Sequence, residues 1–317
     1  MALYLTEADV NGLLTMEEAL DALDEVFKAR AAGEVGNIPR ARLPLGSGSY
    51  NIMAASWANK GVVGHKSYTG GKGGATFHVM IYDAGGDGLL AVIEAGRMGQ
   101  VRTGAASGLA TRYMARHDAS VVGVIGAGYQ AETQVEAVAR VRTVTEVRVF
   151  SRTAERREAF ARSMSERLHV PMRAVGAAAE AAAGADILIA ITNSFEPVIT
   201  AGMLAPGMHV NAAGGNSWMR RELETAAVAR ADVIATDDIE QARIECGELI
   251  RAADTGHFSW DSLVRLDRIV AGQRAGRESP GQVTLFESQG VAFEDLAVAE
   301  RVYKLALSRG VGTALPS

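Results

Sequence analysis

Residues 121–131 of this chain read Val121-Val-Gly-Val-Ile-Gly-Ala-Gly-Tyr-Gln-Ala131, and the rest of the sequence can be interpreted outward from them. The β-branched run predicts a buried strand. Gly126, Gly128 and Ala131 then follow the G-x-G-x-x-A spacing of a dinucleotide-binding turn. In such a turn the first glycine permits a tight bend, the second admits a pyrophosphate, and the last small residue lets a helix pack closely. The helix N-terminus would offer N–H groups to the phosphates.

After residue 119 the sequence alternates apolar strands with amphipathic helices. We predict strands at 121–126, 146–151, 186–192, 208–213 and 232–236, and helices at 129–140, 154–167 and 238–253. The pattern stops near residue 284. Such alternation is typical of a parallel, doubly wound sheet. The predicted fold class is therefore α/β, with a Rossmann-type doubly wound parallel sheet and a second, discontinuous α+β domain.

The residues before this region predict helices followed by a mixed sheet. Residues 1–35 are expected to be helical, with Thr15 and Glu18 forming a capping box. Short apolar runs predict strands at Ile52–Ala55, Val79–Tyr82 and Leu89–Ile93, and residues 83–88 predict a hairpin turn. Residues 70–74 predict a flexible loop that lacks the P-loop spacing.

Two further helices are predicted outside the alternating region. Residues 103–116 predict a helix rich in small residues, with Arg102 and Thr103 at its start as an anion site. Residues 290–308 predict a last helix that returns to the first domain.

Composition narrows the class of protein. The chain has 317 residues, 48% of them hydrophobic and 22% charged, with a formal net charge of −5 and no basic stripe, which disfavours nucleic acid or an anionic membrane as partner. No apolar run has transmembrane length and no signal peptide is visible, so we expect a cytoplasmic protein. The single cysteine, Cys246, fits a reducing compartment, and nearby acids should raise its pKa. The six histidines lack metal-ligand spacing, so no metal is expected.

The end of the second predicted strand indicates the cofactor. An acid at this position would bind the ribose hydroxyl of NAD, but the sequence here is Ser151-Arg-Thr153. These side chains can receive a 2′-phosphate, which favours NADP(H) over NAD(H). The alternative is that Arg152 is a solvated surface arginine.

Cationic residues of the first domain are candidates for binding a small anionic substrate. They are Arg40 or Arg42, Lys66 and Arg102. A guanidinium matches a carboxylate in two places. Lys66 ends an apolar strand, where a lysine is either functional or extends its ammonium to solvent.

Several short motifs, in order along nearly the whole chain, resemble the ornithine cyclodeaminase/mu-crystallin family. They are Ile38-Pro-Arg40, Met53-Ala-Ala55, Gly64-His-Lys66, Val101-Arg-Thr-Gly-Ala-Ala106, Gly126-Ala-Gly128, Val210-Asn-Ala-Ala-Gly214, Arg221-Glu-Leu223, Asp238-Ile-Glu-Gln-Ala242 and Ser288-Gln-Gly290.

The resemblance implies a homodimer of two-domain subunits. Residues 1–117 and 285–317 would form the substrate-binding and dimerisation domain, and residues 118–284 the dinucleotide-binding domain. Family members reduce imino acids, dehydrogenate amino acids, or cyclise ornithine or lysine. Arg40 (with Arg42 as register alternative), Met53, Lys66 and Arg102 would bind substrate. The expected cofactor contacts are Thr103, Gly126, Ala127, Gly128, Tyr129, Gln130, Ala131, Ser151, Arg152, Thr153, Thr192, Asn193, Gly214 and Gly215.

One departure from the family pattern concerns proton transfer. Asn216 occupies the place of a family aspartate, and an amide cannot accept a proton at neutral pH. Asn216 is kept among the catalytic candidates with Lys66 and Arg102, since it can hold a water or an ammonium. If the register differs, Asp237 or Asp238 would serve instead.

The leading interpretation is an NAD(P)H-dependent oxidoreductase acting at Cα of a small amino or imino acid. The first alternative is an ornithine or lysine cyclodeaminase with tightly held NAD. The second is a non-catalytic, NADPH-dependent ligand-binding protein of the mu-crystallin type.

Overall fold

The computed structural model describes residues 2–71 and 74–316. The chain divides into two compact units, and one of the boundaries between them falls inside the long helix α3 (Gly96–Met114). The first unit contains the chain up to Arg102 and again from Val291 onward, and the second contains Thr103–Gly290. Residues 103–117 and 285–290 therefore belong to the second unit, whereas the sequence placed them in the first domain. Of the loop expected at 70–74, residues 72 and 73 lie outside the described residues, and Gly70, Gly71 and Gly74 are in strands.

The first unit is built on a mixed sheet. Its strands are β1 (Leu3–Leu5), β2 (Val35–Leu45), β3 (Gly48–Trp57), β4 (Val62–Gly71), β5 (Gly74–Asp83), β6 (Gly88–Glu94) and β15 (Thr313–Ala314). They lie in the order β15-β1-β6-β5-β4-β3-β2, with β1 and β6 parallel and the other neighbours antiparallel. The strands predicted within β3, β5 and β6 are confirmed, and so is the turn between β5 and β6.

Three helices of the first unit are α1 (Glu7–Leu13), α2 (Met16–Ala31) and α11 (Ala292–Arg309). The prediction of helix throughout residues 1–35 is wrong at Leu3–Leu5, which pairs with β6 as a strand. Helix α11 packs against α2 and against strands β2 to β5. Its Phe293 ring meets Phe27 edge-on, with centroids 5.0 Å apart, and both rings are fully buried. The last helix is therefore part of the core of this unit.

Helix α3 begins seven residues earlier than the sequence predicts. The Glu7 carboxylate accepts hydrogen bonds from the N–H groups of Gly96 (2.5 Å) and Arg97 (2.9 Å), so it caps the first turn. Arg102 and Thr103 consequently lie inside the helix. The expectation that they form an anion site at a helix N-terminus is wrong, and any role of Arg102 depends on its side chain.

The second unit contains a parallel sheet with helices between its strands. The strands are β7 (Val121–Ile125), β8 (Glu146–Phe150), β9 (Met172–Ala174), β10 (Ile187–Ala190), β11 (His209–Ala212), β12 (Val233–Thr236), β13 (Val264–Arg265) and β14 (Thr284–Glu287). Their order, β13-β12-β14-β11-β10-β7-β8-β9, confirms the doubly wound prediction. Strand β14 corrects the expectation that the pattern stops near residue 284, because it lies between β11 and β12.

The helices of this unit are α4 (Tyr129–Val141), α5 (Ala154–Leu168), α6 (Ala178–Ala182), α7 (Thr225–Arg230), α8 (Ile239–Glu245), α9 (Gly247–Asp254) and α10 (Leu266–Val270). The helix predicted at 238–253 is interrupted at Cys246, which ends α8 and precedes α9. In the described part of the chain, no helix combines the length and apolar character that crossing a membrane requires.

The register of the parallel sheet brings the strand ends into line. Ile125 pairs with both Phe150 and Ala190, and Ala212 pairs with both Ala190 and Glu287. The loops that follow β7, β8, β10, β11 and β14 therefore leave the sheet at one edge. In open α/β sheets this carboxyl edge is where ligands bind.

Candidate functional site

The turn after β7 has the geometry of a phosphate cradle. Gly126 has φ +119°, and its N–H donates to the Phe150 carbonyl at 2.8 Å. A Cβ at Gly126 would lie 2.2 Å from the Ile191 carbonyl oxygen, so only glycine fits. A Cβ at Gly128 would meet nothing within 4 Å, and no side chain caps the first turn of α4. Open space beside uncapped helical N–H groups fits a pyrophosphate.

The predicted cofactor residues of neighbouring loops lie at the same edge of the sheet. Thr192 and Asn193 follow β10, Gly214 and Gly215 follow β11, and residues 151–153 follow β8. The turn itself supplies Gly126, Ala127 and Gly128, and α4 begins with Tyr129, Gln130 and Ala131. Residues from four separated segments of sequence are thus collected along one edge, as a dinucleotide site requires.

Glu222 connects two of these loops, and sequence reasoning did not single it out. Its carboxylate accepts from the N–H groups of Thr192 (2.6 Å) and Gly214 (2.7 Å). Burial raises the pKa of Glu222 to about 7, although these hydrogen bonds oppose the shift. The sequence signal that could have identified Glu222 is the Arg221-Glu-Leu223 motif, which is one of the segments that resemble the family and contains this acid. Glu222 fixes the two loops relative to each other.

The segment after β8 is ordered by its own hydrogen bonds. Ser151 Oγ donates to the Thr153 carbonyl at 3.1 Å, and Arg157 Nη1 donates to the Ser151 carbonyl at 2.9 Å. The Arg152 side chain is exposed at this edge. The segment therefore presents hydroxyl and guanidinium groups, with no acid among residues 151–153.

Helix α3 continues into the second unit and packs against α4. A Cβ at Gly104 would lie 2.3 Å from the Thr133 carbonyl oxygen. The Thr103 carbonyl accepts from Gln134 Nε2 at 3.1 Å. These contacts confirm that the small residues of α3 allow a close approach. They place Thr103 beside the helix that follows the glycine turn.

The first unit contains a buried group of charged side chains, which we call the cationic group: Arg40, Lys66, Arg102, Glu294 and Asp295. Lys66 Nζ donates to Asp295 Oδ1 at 2.9 Å, and Arg102 Nε donates to the same oxygen at 3.0 Å. Arg102 Nη1 donates to Glu294 Oε2 at 3.1 Å. All five residues are at most 7% exposed. With three cations and two carboxylates, the group has a formal net charge of +1.

Electrostatics sets the protonation of this group. Burial lowers the pKa of Lys66 to about 8; Asp295 opposes the shift, whereas Arg102 and Arg40 add to it. Burial alone would raise the pKa of Asp295, but Arg102 and Lys66 hold it below its usual value. Lys66 can therefore both release and accept a proton near neutral pH, while Asp295 stays ionised.

The burial of the residues near Lys66 distinguishes Arg40 from Arg42, the two alternatives for the substrate-binding arginine. Met53, 2% exposed, pairs with Lys66 across β3 and β4. Arg40 is buried where β2 shifts register between Ile38 and Ala41, whereas Arg42 is exposed. The structure thus brings Arg40, Met53, Lys66 and Arg102 into one environment.

Other groups lie close to the Lys66 ammonium. A Cβ at Gly99 would lie 3.1 Å from Lys66 Nζ, and this Nζ is 5.2 Å from the centroid of the Phe77 ring. The first turns of α3 and strand β5 therefore both pass beside it.

The candidates for a proton acceptor in the second unit have different environments. Asn216 is exposed in the loop after β11. Asp237 is fully buried and accepts from the N–H groups of Gln289 (2.7 Å) and Gly290 (2.8 Å). Asp238 caps α8 by accepting from Gln241 N–H at 2.8 Å. Both aspartates accept hydrogen bonds from backbone N–H groups, and burial raises the pKa of Asp237 to about 6. A proton-transfer role for Asp237 or Asp238 stays a prediction.

Cys246 lies in a buried acidic environment, as the sequence indicated. Its Sγ and carboxylate oxygens of Glu248 and Glu287 lie within 4.8 Å of one another. Burial, Glu287 and Glu248 raise the pKa of the thiol well above its usual value. Glu287 was not anticipated, because strand β14 was missed. The thiol is unreactive in this environment.

The profile of the Ornithine cyclodeaminase/mu-crystallin family matches residues 2–310, and the chain belongs to this family. It is 34% identical over 317 residues to alanine dehydrogenase from Archaeoglobus fulgidus, covering 98% of this chain and 97% of that protein. Two solved structures share its fold along almost the whole length. One is Thermococcus litoralis Δ1-pyrroline-2-carboxylate reductase in complex with NADH and L-proline, with a TM-score of 0.95, 31% identity, and coverage of 99% of this chain and 100% of that one. The other is an archaeal alanine dehydrogenase dimer with bound NAD, with a TM-score of 0.94, 32% identity and 99% coverage of both chains.

Proposed function

We propose that this protein is an NAD(P)H-dependent oxidoreductase that transfers a hydride to or from Cα of a small amino or imino acid. The observation that carries the proposal is the cationic group, whose net charge of +1 complements one carboxylate. The similarity to an alanine dehydrogenase and to a pyrroline-2-carboxylate reductase supports the proposal, because both reactions take place at Cα of an amino or imino acid.

The chain's own residues would hold the substrate and move a proton. Arg40, Lys66 and Arg102 would neutralise and orient the substrate carboxylate. Lys66 would donate a proton to the developing amine, or accept one in the reverse direction, because its pKa of about 8 suits both tasks. A nicotinamide dinucleotide whose pyrophosphate is held by the glycine turn would supply the hydride chemistry.

For the cofactor we propose NADP(H) as the preferred form, with NAD(H) possible. The support is the Ser151-Arg-Thr153 segment after β8, which offers a guanidinium and two hydroxyl-bearing residues to a 2′-phosphate. The two solved structures contain NADH and NAD, so a preference of this chain for NADP(H) would distinguish it from them.

We further propose a cytoplasmic homodimer. The archaeal alanine dehydrogenase is a dimer, and β2 of this chain exposes Ile38, Leu43 and Leu45, which are 63%, 60% and 49% accessible. An apolar strand of this kind favours a partner. Sedimentation velocity at micromolar concentration should give twice the mass of the 33.3 kDa chain.

Net consumption of nicotinamide cofactor separates this proposal from cyclodeamination. Absorbance of the reduced cofactor should fall with Δ1-pyrroline-2-carboxylate, or with pyruvate plus ammonium. Proline formation from ornithine at constant absorbance would favour a cyclodeaminase. Asn216 argues against that reaction, because an amide does not accept a proton at neutral pH. Ligand binding without turnover across this panel would favour a binding protein.

The role of Lys66 can be tested by substitution. Lys66→Ala should lower kcat by at least about 100-fold, since it removes the proton donor. NADPH binding, measured by fluorescence titration, should change by less than about threefold. Lys60→Ala is a matched control in the same unit, because Lys60 pairs with Glu25 rather than with the cationic group. A Lys66→Ala enzyme with an unchanged rate would remove Lys66 from the mechanism.

A further inference from the structure

One carboxylate oxygen receives both functional cations of the first unit. Asp295 Oδ1 accepts from Lys66 Nζ at 2.9 Å and from Arg102 Nε at 3.0 Å. Lys66 lies on β4, Arg102 on α3 and Asp295 in the first turns of α11. From its position alone, Asp295 is an acid in the first turn of a helix, where it favours the helix dipole. In the structure its carboxylate also binds Lys66 and Arg102, and these two bonds are not explained by the helix dipole.

The surroundings of Lys66 make Asp295 its only carboxylate hydrogen-bond partner among the described contacts. The charged groups that face Lys66 are Asp295 from α11, Arg102 from α3 and Arg40 from β2. Its strand neighbours, Met53 and Val79, are apolar. Glu294 bonds to Arg102 instead. An ammonium that is only 4% exposed and has two guanidinium neighbours is strongly disfavoured unless a carboxylate compensates.

We propose that Asp295 is a positioning residue that fixes Lys66 and Arg102 in one geometry and keeps Lys66 protonated for proton donation. The role of Lys66 as a proton donor rests on the proposed reaction, but the electrostatic coupling between Asp295 and Lys66 does not. Asp295 acts through the two cations, because its Oδ1 is engaged by both and it remains ionised. It would neither bind the substrate carboxylate nor transfer a proton.

The coupling can be measured directly by NMR without cofactor or substrate. The chain has five lysines, so lysine labelled at ¹³Cε gives a simple spectrum, and Lys66→Arg identifies the Lys66 signal. In the wild-type protein this signal should titrate near pH 8. In Asp295→Asn the midpoint should fall by at least about one pH unit, because the charge that favours the ammonium is gone.

A kinetic measurement then connects this coupling to the reaction. In the imine-reduction direction, the pH at which kcat/KM begins to fall should decrease in Asp295→Asn by the same amount as the NMR midpoint. Glu300→Gln is the matched control: Glu300 is a buried acid on the same helix, but it pairs with Lys304. It should leave both the Lys66 titration and the pH profile unchanged.

An unchanged Lys66 titration in folded Asp295→Asn would overturn the proposal. If that variant does not fold, Asp295→Glu retains the charge but moves the carboxylate by one methylene, and it must still alter the titration or kcat. If Asp295→Glu shows the wild-type Lys66 titration and the wild-type kcat, the proposal is likewise overturned. If the NMR midpoint shifts but no substrate turns over in the wild-type enzyme, the proposed reaction fails while the coupling stands.

Discussion

The two glycines of the turn after β7 allow fold and cofactor binding to be perturbed separately. Gly126 has φ +119°, and a Cβ there would lie 2.2 Å from the Ile191 carbonyl oxygen. Gly128 has φ −99°, and a Cβ there would meet nothing within 4 Å. Gly126→Ala should therefore damage the protein itself. Gly128→Ala should damage only the binding of a nucleotide that lies over the turn.

The sizes of the two effects follow from these contacts. At Gly126, backbone strain of about 1–3 kcal/mol adds to overpacking of about 1–3 kcal/mol. At about 2–4 °C per kcal/mol, the melting temperature should fall by roughly 5–20 °C. At Gly128, alanine is a poorer helix N-cap by about 1 kcal/mol or less, so the melting temperature should change little. Its methyl group would occupy the pyrophosphate space and raise Kd at least about tenfold.

The assay combines thermal denaturation, followed by circular dichroism, with fluorescence titration using NADH and NADPH. Gly12→Ala is a control for the substitution itself, because a Cβ at Gly12 in α1 also meets nothing within 4 Å. The reasoning is refuted if Gly128→Ala binds both nucleotides with the wild-type Kd, since the pyrophosphate then lies elsewhere. It is also refuted if Gly126→Ala melts at the wild-type temperature.

Three other predictions test the charges described above. Because burial and the neighbouring guanidiniums lower the pKa of Lys66 to about 8, kcat/KM for imine reduction should fall above that pH and kcat/KM for amine oxidation below it; parallel profiles in both directions would contradict this role. Arg152→Ala should raise KM for NADPH about 10- to 100-fold and leave KM for NADH within about twofold, as steady-state kinetics would show; an equal loss for both would exclude a 2′-phosphate contact. Burial raises the pKa of Glu222 from 4.5 to about 7 and also raises the pKa of Glu248. Their neutral forms therefore stabilise the fold below pH 4.5, and this stability is lost as the pH rises toward the folded values. By pH 8 Glu222 alone accounts for about 3 kcal/mol of this lost stability. Glu248→Gln should therefore flatten the decline in melting temperature between pH 5 and 8.

The parallel sheet could be predicted because its strands are buried on both faces. Such strands are continuous apolar runs, as at Val121–Ile125 and Ile187–Ala190, and they need no information from distant residues. Strand β14 was missed because Thr284–Glu287 ends in an acid, which is unusual in a buried strand. It is a strand because its backbone pairs with β11 and β12 on both sides.

The errors elsewhere also have tertiary causes. The start of α3 could not be predicted, because its capping group, Glu7, is 89 residues away from Gly96. Prolines 39 and 44 obscured β2, yet an edge strand with a register shift tolerates them. In the candidate site, the sequence named Lys66 and Arg102 but passed over Asp295 and Glu222, because an isolated acid has no significance until its partners are known.

The bond between Lys66 and Asp295 joins residues 229 positions apart. A ribosome synthesising this chain must therefore produce the entire second unit before the partner of Lys66 exists. Until then a nascent first unit holds an ammonium and two guanidiniums without the carboxylates of α11, and lacks Phe293 from its core. Since contacts of such large sequence separation form late, we expect the first unit to remain loosely packed until α11 is made, while the second unit, which is continuous in sequence, can fold first.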